Sequence, residues 1–475
     1  MSRTVSRGKS PVPRRFFKSW RIPACVILAA GAPIACVDEP AALEETPRIE
    51  LPMDVAESRS TTIGGVLPGT DPDEFAEAED EFGEVESIDE GLGPIFNDRG
   101  CASCHNLPVT GGSGVQVERR FGRLTNGIFD AYDADPENHG GSLRQLFSNA
   151  TYNFAGQSCT VSVEIEPTTA NVSNVGRRTT PLFGLGLVDA MPDWWFDLLA
   201  ATQPSSIRGV VQRVPVVLPD ERDPTQFVGS LRVGRFGWKG QVPTLLVFSG
   251  DAYNNEMGIT TQSCFKGKSI LAFAYENLPN NVAPIAGCNG GDLAPAQTPH
   301  PDVPQFTDEA VGPCSGNRTE IQEDVALFAT FMERLAPPPP KIKDPKTFAL
   351  GAFAFAKVGC AGCHVAVPFI TPSRPYNDVP GNYAFFPFSD FLAHDMGSLG
   401  DGIGATGDPV AKTRLMRTAP LWGARLNPCF LHDCRAPTVR DAIIAHDGQG
   451  KPARDAFLTL SSSLQIALLN YVLSL

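Results

Sequence analysis

Basic residues are outnumbered in this chain, 39 lysines and arginines against 53 aspartates and glutamates in 475 residues, for a formal charge of −14. A phosphate-reading surface needs a basic patch, so the balance argues against nucleic acid as a partner. Long apolar runs are missing too. The stretch "ACVILAAGAPIAC" at 24–36 is too short to span a bilayer comfortably, and 42% hydrophobic content is ordinary for a globular protein. Histidine and methionine, at seven residues each, leave few candidates for holding a metal through nitrogen or thioether sulfur.

The basic residues that do cluster stand at the start. Arg3, Arg7, Lys9, Arg14, Arg15, Lys18 and Arg21 precede the apolar stretch, which is the layout of a secretory signal, and residues 1–36 are read as an export signal. Cys36 follows Ile34-Ala35 and is a candidate lipidated residue, although Pro33 stands where a lipoprotein signal usually has leucine. Export predicts a periplasmic protein, membrane-anchored if Cys36 carries lipid. Twelve cysteines suit such an oxidising compartment. Six of them, Cys159, Cys264, Cys288, Cys314, Cys429 and Cys434, fall outside the export segment and the two CxxC pairs, and Cys429 with Cys434 are close enough for a local bridge.

Residues 37–90 carry proline, threonine, serine and the acidic run "DPDEFAEAEDEFGEVESIDEG", and read as a flexible acidic linker with a short helix, so that the ordered part begins near Gly91. One internal repeat then dominates. "FNDRGCASCH" (96–105) and "FAKVGCAGCH" (355–364) share F-x-x-x-G-C-A-x-C-H, and two copies of one unit predict two similar sites. "IQEDVALFATFMERL" is an amphipathic helix stopped by "APPPPKIKDP", which sets a boundary between domains at 91–335 and 345–475. "PTVRDAIIAH" and "SSSLQIALLNYVLSL" read as closing helices, and "SIRGVVQRVPVVL" and "FVGSLRVGRFGW" as short strands. The expected fold class is mainly α with a small β portion.

With 12 cysteines and 7 histidines, CxxCH should arise by chance only about 0.005 times per chain, so two copies carry meaning. Two thiols at this spacing can each add to a vinyl group of one porphyrin, and the next imidazole can then ligate the iron. Zinc needs two further soft ligands nearby, and none follows at zinc-finger spacing. A redox dithiol has no need of histidine at the fifth position twice. Two covalently bound haem c groups are therefore expected, one on Cys101, Cys104 and His105, the other on Cys360, Cys363 and His364. What lies across each iron decides between electron transfer and peroxide binding. The candidates are His394 and Met396 in "FLAHDMGSLGDG", His432 in "FLHDCRAPT", His446 in "IIAHDGQG" and Met257 in "NNEMGIT"; His139 and His300, in loops, are expected to be packing or surface residues rather than ligands.

The nine stretches "FNDRGCASCHNLPVTGGSG", "RRTTPLFGLGLVDAMPD", "GRFGWKGQVPTL", "NNEMGIT", "FMERLAPPPP", "GCAGCHVAVP", "FLAHDMGSLGDG", "RTAPLWG" and "FLHDCRAPTVRDAII" follow one another through the chain. With them, residues from about 92 to 475 resemble the di-haem oxidoreductase family, also known as thiol oxidoreductases, which is similar to bacterial di-haem cytochrome c peroxidases. The resemblance implies two cytochrome-c-like haem domains, with calcium between them as an additional ion. It also implies haem attachment to an unfolded exported chain, which disfavours the twin-arginine route that "RRFFK" suggests. It makes Glu256 the general acid–base that moves a proton between the peroxide oxygens, and Trp238 the aromatic relay between haems.

By the same resemblance, His432 occupies the position of an HDG motif, and the distal ligand of the second haem follows about fourteen residues on, at His446. His432 would then serve nearby by hydrogen bonding, and His394 or Met396 are rival ligands. The related peroxidases commonly have methionine where His446 stands, and histidine should lower the potential. Cys434 replaces the glycine of HDG, where a bridge to Cys429 would rigidify the loop. The function implied is reduction of hydrogen peroxide at the first haem, with electrons from a small redox protein passing through the second. Alternatives are a di-haem oxidase of a thiol or protein side chain, and a plain electron-transfer cytochrome.

Overall fold

The helix at Pro72–Gly83 (α1) sits inside the acidic stretch that reads as a linker, and it is part of the core. Asp71 caps it, its carboxylate accepting from the N–H groups of Asp73 and Glu74 at 2.9 and 3.3 Å, and Pro72 occupies the first turn, where no amide donor is needed. Phe75, Ala78 and Phe82 recur at helical spacing and are buried. They lie against the helix Glu323–Arg334: Phe75 and Phe82 meet Phe331 at 5.5 and 4.5 Å between ring centroids. The expected flexible linker over 37–90 is thus corrected for its second half, because three apolar residues among the acids make a stripe wide enough to pack. Phe82→Ala is expected to cost about 3–5 kcal/mol. Urea unfolding checks this, and an unchanged midpoint would show α1 to be detachable.

The computed structural model describes residues 62–90, 92–93, 95–132, 141–154, 157–160, 162–259, 261–265, 268–273 and 323–475. The expected export signal at 1–36 with Cys36, the first part of the linker, His139, His300, Cys288 and Cys314 lie outside them, as do the side chains of Cys159 and Cys264.

The turn Cys101–Cys104 (α2) carries the first CxxCH. A strand at Val117–Thr125 (β1) follows and turns through Asn126-Gly127, both in the left-handed region that this dipeptide favours, into Ile128–Asp130 (β2). Leu143–Arg144 (β3) and Val172–Arg178 (β4) also pair antiparallel with β1, so Glu118 lies opposite Arg177. Helix Leu245–Met257 (α3) and helix Glu323–Arg334 (α4) build the first core with α1. Helix and strand make up 34% and 16% of the described residues, so helix leads and strand is minor, as expected.

Beyond the proline run, Pro345–Lys357 (α5) is capped by Asp344 and ends at the second CxxCH. It packs on the closing helix Ser462–Val472 (α7), and Gly351 permits the approach: a Cβ there would lie 2.2 Å from Ala467 O. Between them in sequence come the short pair Ala393–Asp395 (β5) and Leu415–Arg417 (β6), then Val439–Ala445 (α6), capped by Thr438. Phe355, Val358, Phe457, Leu468 and Tyr471 form the second core. Phe369, Phe385, Phe391 and Trp422, all beyond the proline run, belong to the first core. The run at 337–340 therefore does not divide the two cores.

Candidate haem sites

The two copies of the repeat fold alike. The N–H of His105 donates to Cys101 O, and that of His364 to Cys360 O, both at 3.0 Å. Each imidazole points Nδ1 at a carbonyl, His105 at Gly112 O (3.3 Å) and His364 at Phe388 O (3.0 Å). As Nδ1–H donors, both rings keep Nε2 as a free lone pair, the arrangement a metal ligand needs. The glycine before each first cysteine has a local reason: a Cβ on Gly100 would meet Glu84 O at 2.2 Å, and Gly359 has φ +94°.

Burial pushes the Cys104 and Cys360 thiols up to about 12 and raises Cys101 well above its usual range. Burial also lowers His105 and His364 to about 4, helped at His364 by the nearby His446.

Cys101, Cys104 and His105 open into a cavity of about 190 Å³. Glu256, at the end of α3, lines it, and its backbone is held by the N–H groups of Asn97 and Asp98, which donate to Glu256 O at 2.7 and 3.3 Å. Asn97 Nδ2 donates to Glu256 Oε2 at 2.8 Å. Burial, together with the neighbouring Glu118, raises the Glu256 carboxyl well above the usual carboxylate range. Burial also opposes the charge on Glu118, but Arg120 donates to it at 2.6 and 3.3 Å and holds it below that range. Glu118, Arg120, Asn97 and Asp251 were missed by sequence reasoning. The signal was present in "QVERRFGR", where Glu118 and Arg120 stand two apart and so share one face of a strand.

The second CxxCH opens into a larger, mostly apolar cavity of about 360 Å³. His446, at the end of α6, lines it with His364, and His446 Nδ1 faces Ala442 O at 2.7 Å, leaving Nε2 free. His394 also lines the cavity, but both its nitrogens are engaged: Nε2 meets Asp390 Oδ2 at 2.9 Å and Nδ1 faces Cys363 Sγ at 3.7 Å. Burial works against a charge on His394, yet Asp390 and Cys363 together raise it to about 10. Met396 lies on the wall beside His446; carbons of both approach within 3.2 Å of where a Cβ on Gly450 would stand. Cys363, Asp390 and His394 form the one group of three converging ligand atoms among the described residues, and it is not the oxygen-rich set calcium prefers.

Trp238 lines both cavities. Its Nε1–H donates to Arg178 O at 3.0 Å, its ring meets His432 edge-on at 6.2 Å, and the Arg178 guanidinium lies 5.7 Å from its centroid. The C-terminal half grips this turn, since Arg417 donates its backbone N–H to Trp238 O and its Nε to Gly237 O. His432 is buried on the wall of the second cavity, within the loop closed by the expected Cys429–Cys434 disulfide. Met257, next to Glu256, is buried on the wall of the first.

Residues 149–475 match the family described as "Di-haem oxidoreductase, putative peroxidase". The chain belongs to the di-haem oxidoreductases. The match begins after the first CxxCH, so the first site rests on the repeat and its geometry. No curated protein matches this oxidoreductase. Among solved structures, hydrazine synthase of Kuenenia stuttgartiensis, pressurised with xenon, aligns over 94% of this chain and 100% of its own, at 14% identity and a TM-score of 0.34.

A di-haem oxidoreductase must also accommodate haem carboxylates, and this one has buried cations facing its cavities. Arg178 and Arg417, 6% and 8% exposed, line the second cavity, and Arg178 the first as well. Arg178 donates to Leu431 O, Thr179 O and Asn427 Oδ1, and Arg417 to Gly237 O and Thr418 O; no carboxylate among the described residues pairs with either. Burial lowers both to about 10. A buried guanidinium with carbonyl partners alone favours an anionic ligand, and a haem propionate supplies one.

Proposed function

We propose that this chain is an exported di-haem c-type oxidoreductase that reduces hydrogen peroxide at the first haem with electrons passed through the second from a small redox protein. The observation that carries the reading is the difference between the two cavities. The first sets a buried, charge-averse carboxyl, Glu256, beside the CxxCH, whereas the second offers two imidazoles, His364 and His446, each with Nε2 free. An acid–base group suits chemistry at the first haem, and two nitrogen ligands suit electron storage at the second.

Haem, when bound, supplies iron that takes up peroxide at one site and holds an electron at the other. Cys101 and Cys104, and Cys360 and Cys363, would attach the two groups, with His105 and His364 as proximal ligands. His446 would complete the second site; His394, committed to Asp390, would orient Asp390 and the nearby Cys363. Glu256 would move a proton between the two oxygens of peroxide, oriented by Asn97. Phe82 and Met332 on the wall of the first cavity help exclude water. Arg178 and Arg417 would hold propionates. Trp238, in both walls, would carry electrons between them, with His432 fixed against it.

The chain purified from an exported expression should hold two haems that survive denaturation, and should consume peroxide when supplied with a reduced small redox protein. Two attached haems with no peroxide consumption would overturn the reading in favour of an electron carrier. Trp238→Phe is expected to slow oxidation of the second haem after peroxide is added, with both reduction potentials unchanged. Stopped-flow spectroscopy reads this, and an unaltered rate would remove Trp238 from the path.

A further inference from the structure

One position of the two repeats meets opposite electrostatics. Cys104 and Cys363 are the second cysteines of their CxxCH turns, and a sulfur that has bonded to haem has no hydrogen left to donate and can only accept. At Cys104 the neighbour is itself an acceptor, since Asp98 Oδ2 lies 3.8 Å from Sγ. At Cys363 the neighbour is an imidazole, with His394 Nδ1 3.7 Å from Sγ. An accepting sulfur suits a donor at the second site and is opposed by a carboxylate at the first.

The His394 ring is fixed for that contact. It is buried, and its strand is tied to a neighbouring segment by the N–H of Val210, which donates to Ala393 O at 2.8 Å, and by the N–H of Ala393, which donates to Val210 O at 3.0 Å. Gly209 leaves room for the ring, because a Cβ there would lie 2.8 Å from His394 Nε2. Nε2 faces Asp390 Oδ2 at 2.9 Å. Asp390 is fully buried, and no lysine or arginine among the described residues pairs with it, so the His394 imidazolium is its counter-charge. Nε2–H then serves Asp390, and Nδ1–H serves the sulfur. The same network braces the CxxCH turn. Gln203 Nε2 donates to Asp390 Oδ2 at 2.6 Å and to Gly362 O at 2.9 Å, and the N–H of Asp390 donates to Cys363 O at 3.0 Å.

We infer that His394, positioned by Asp390 and Gln203, donates a fixed hydrogen bond to the sulfur of Cys363 and so raises the reduction potential of the second haem. This rests on haem attachment at Cys363 and not on the peroxide reading above. A positive N–H aimed at a sulfur bonded to the porphyrin draws electron density from the ring and favours the reduced iron, whereas a carboxylate at the same position favours the oxidised one. The contact offsets the lower potential expected from His446 in place of methionine. The second haem can then take electrons from a donor of higher potential than two imidazole ligands alone would allow.

The test is a redox titration of the haem-loaded protein, with attached haem counted after denaturation and each midpoint assigned from the paramagnetic resonance signal that disappears as the protein is poised. His394→Gln leaves a single donor end, which can serve Asp390 or the sulfur but not both. Asp390→Asn removes the counter-charge and leaves the ring one proton, held on Nε2 by the asparagine oxygen. Both variants should lower the midpoint of the second haem and leave that of the first unchanged, with two haems still attached. Unchanged midpoints in either variant, or two midpoints that move together, would overturn the inference. Loss of the second haem from either variant would also overturn it, by making the network a requirement for attachment. A parent with no haem on Cys363 would instead remove the haem assignment on which the inference rests.

Discussion

Glu256→Gln is expected to lower peroxide turnover by about 10²–10⁴-fold, the usual worth of a positioned acid–base group, while both haems stay attached. Glutamine keeps the shape and can still face Asn97, so what is removed is the ability to take and release a proton. The residue is well placed for the loss to be specific. Its backbone carbonyl is held by two N–H groups, and its side chain makes no ion pair among the described residues. The spectrum of the second haem and the unfolding midpoint should therefore stay close to those of the parent. Steady-state kinetics with a reduced donor makes the measurement. A variant retaining more than a tenth of parental turnover would remove Glu256 from the chemistry.

Asp401→Asn should cost about 3–5 kcal/mol of stability, the range for removing one partner of a buried ion pair. Asp401 is fully buried and accepts Arg177 Nη2 at 2.6 Å, Lys239 Nζ at 2.9 Å and the N–H of Ile403 at 3.0 Å. Asparagine would leave two buried cations facing a neutral amide. Burial opposes the charge on Asp401, but Arg177 and Lys239 outweigh it and hold the carboxyl down to about 2. With a native value below the unfolded one of about 3.9, the contribution is complete above that pH and is lost as pH falls through about 2. Urea unfolding at neutral pH and near pH 2 checks both points, because the gap between parent and variant should narrow in acid. Equal stability at neutral pH would show that the pair is solvated. Since Lys239 follows Trp238 directly, the same variant should also loosen the turn that joins the two cavities.

The two CxxCH turns were legible because what marks them is local. A CxxCH needs nothing beyond five consecutive residues, and both copies fold into the same turn with the same Nδ1 contact. His446 could be reached only through the family resemblance, and the second cavity places it beside His364. Glu118 and Arg120 escaped notice because their meaning depends on β1 and the end of α3 lining one cavity, although they lie more than a hundred positions apart. The acidic segment was misjudged for another reason. Charge density suggested solvent, yet Phe75, Ala78 and Phe82 turn one face of α1 inward, and Phe82 reaches within 6.1 Å of the His105 ring. Similarly, the proline run marked where a helix stops without marking where a core ends, because Phe369 to Phe391 return to the first core.

The measurement closest to the central claim is the electron paramagnetic resonance spectrum of the fully oxidised protein, before and after one equivalent of hydrogen peroxide. The account predicts a high-spin signal from one haem that disappears with peroxide, beside a low-spin signal of two histidine ligands from the other. Two low-spin signals that peroxide leaves unchanged, in both the oxidised and the half-reduced protein, would contradict it and leave an electron carrier.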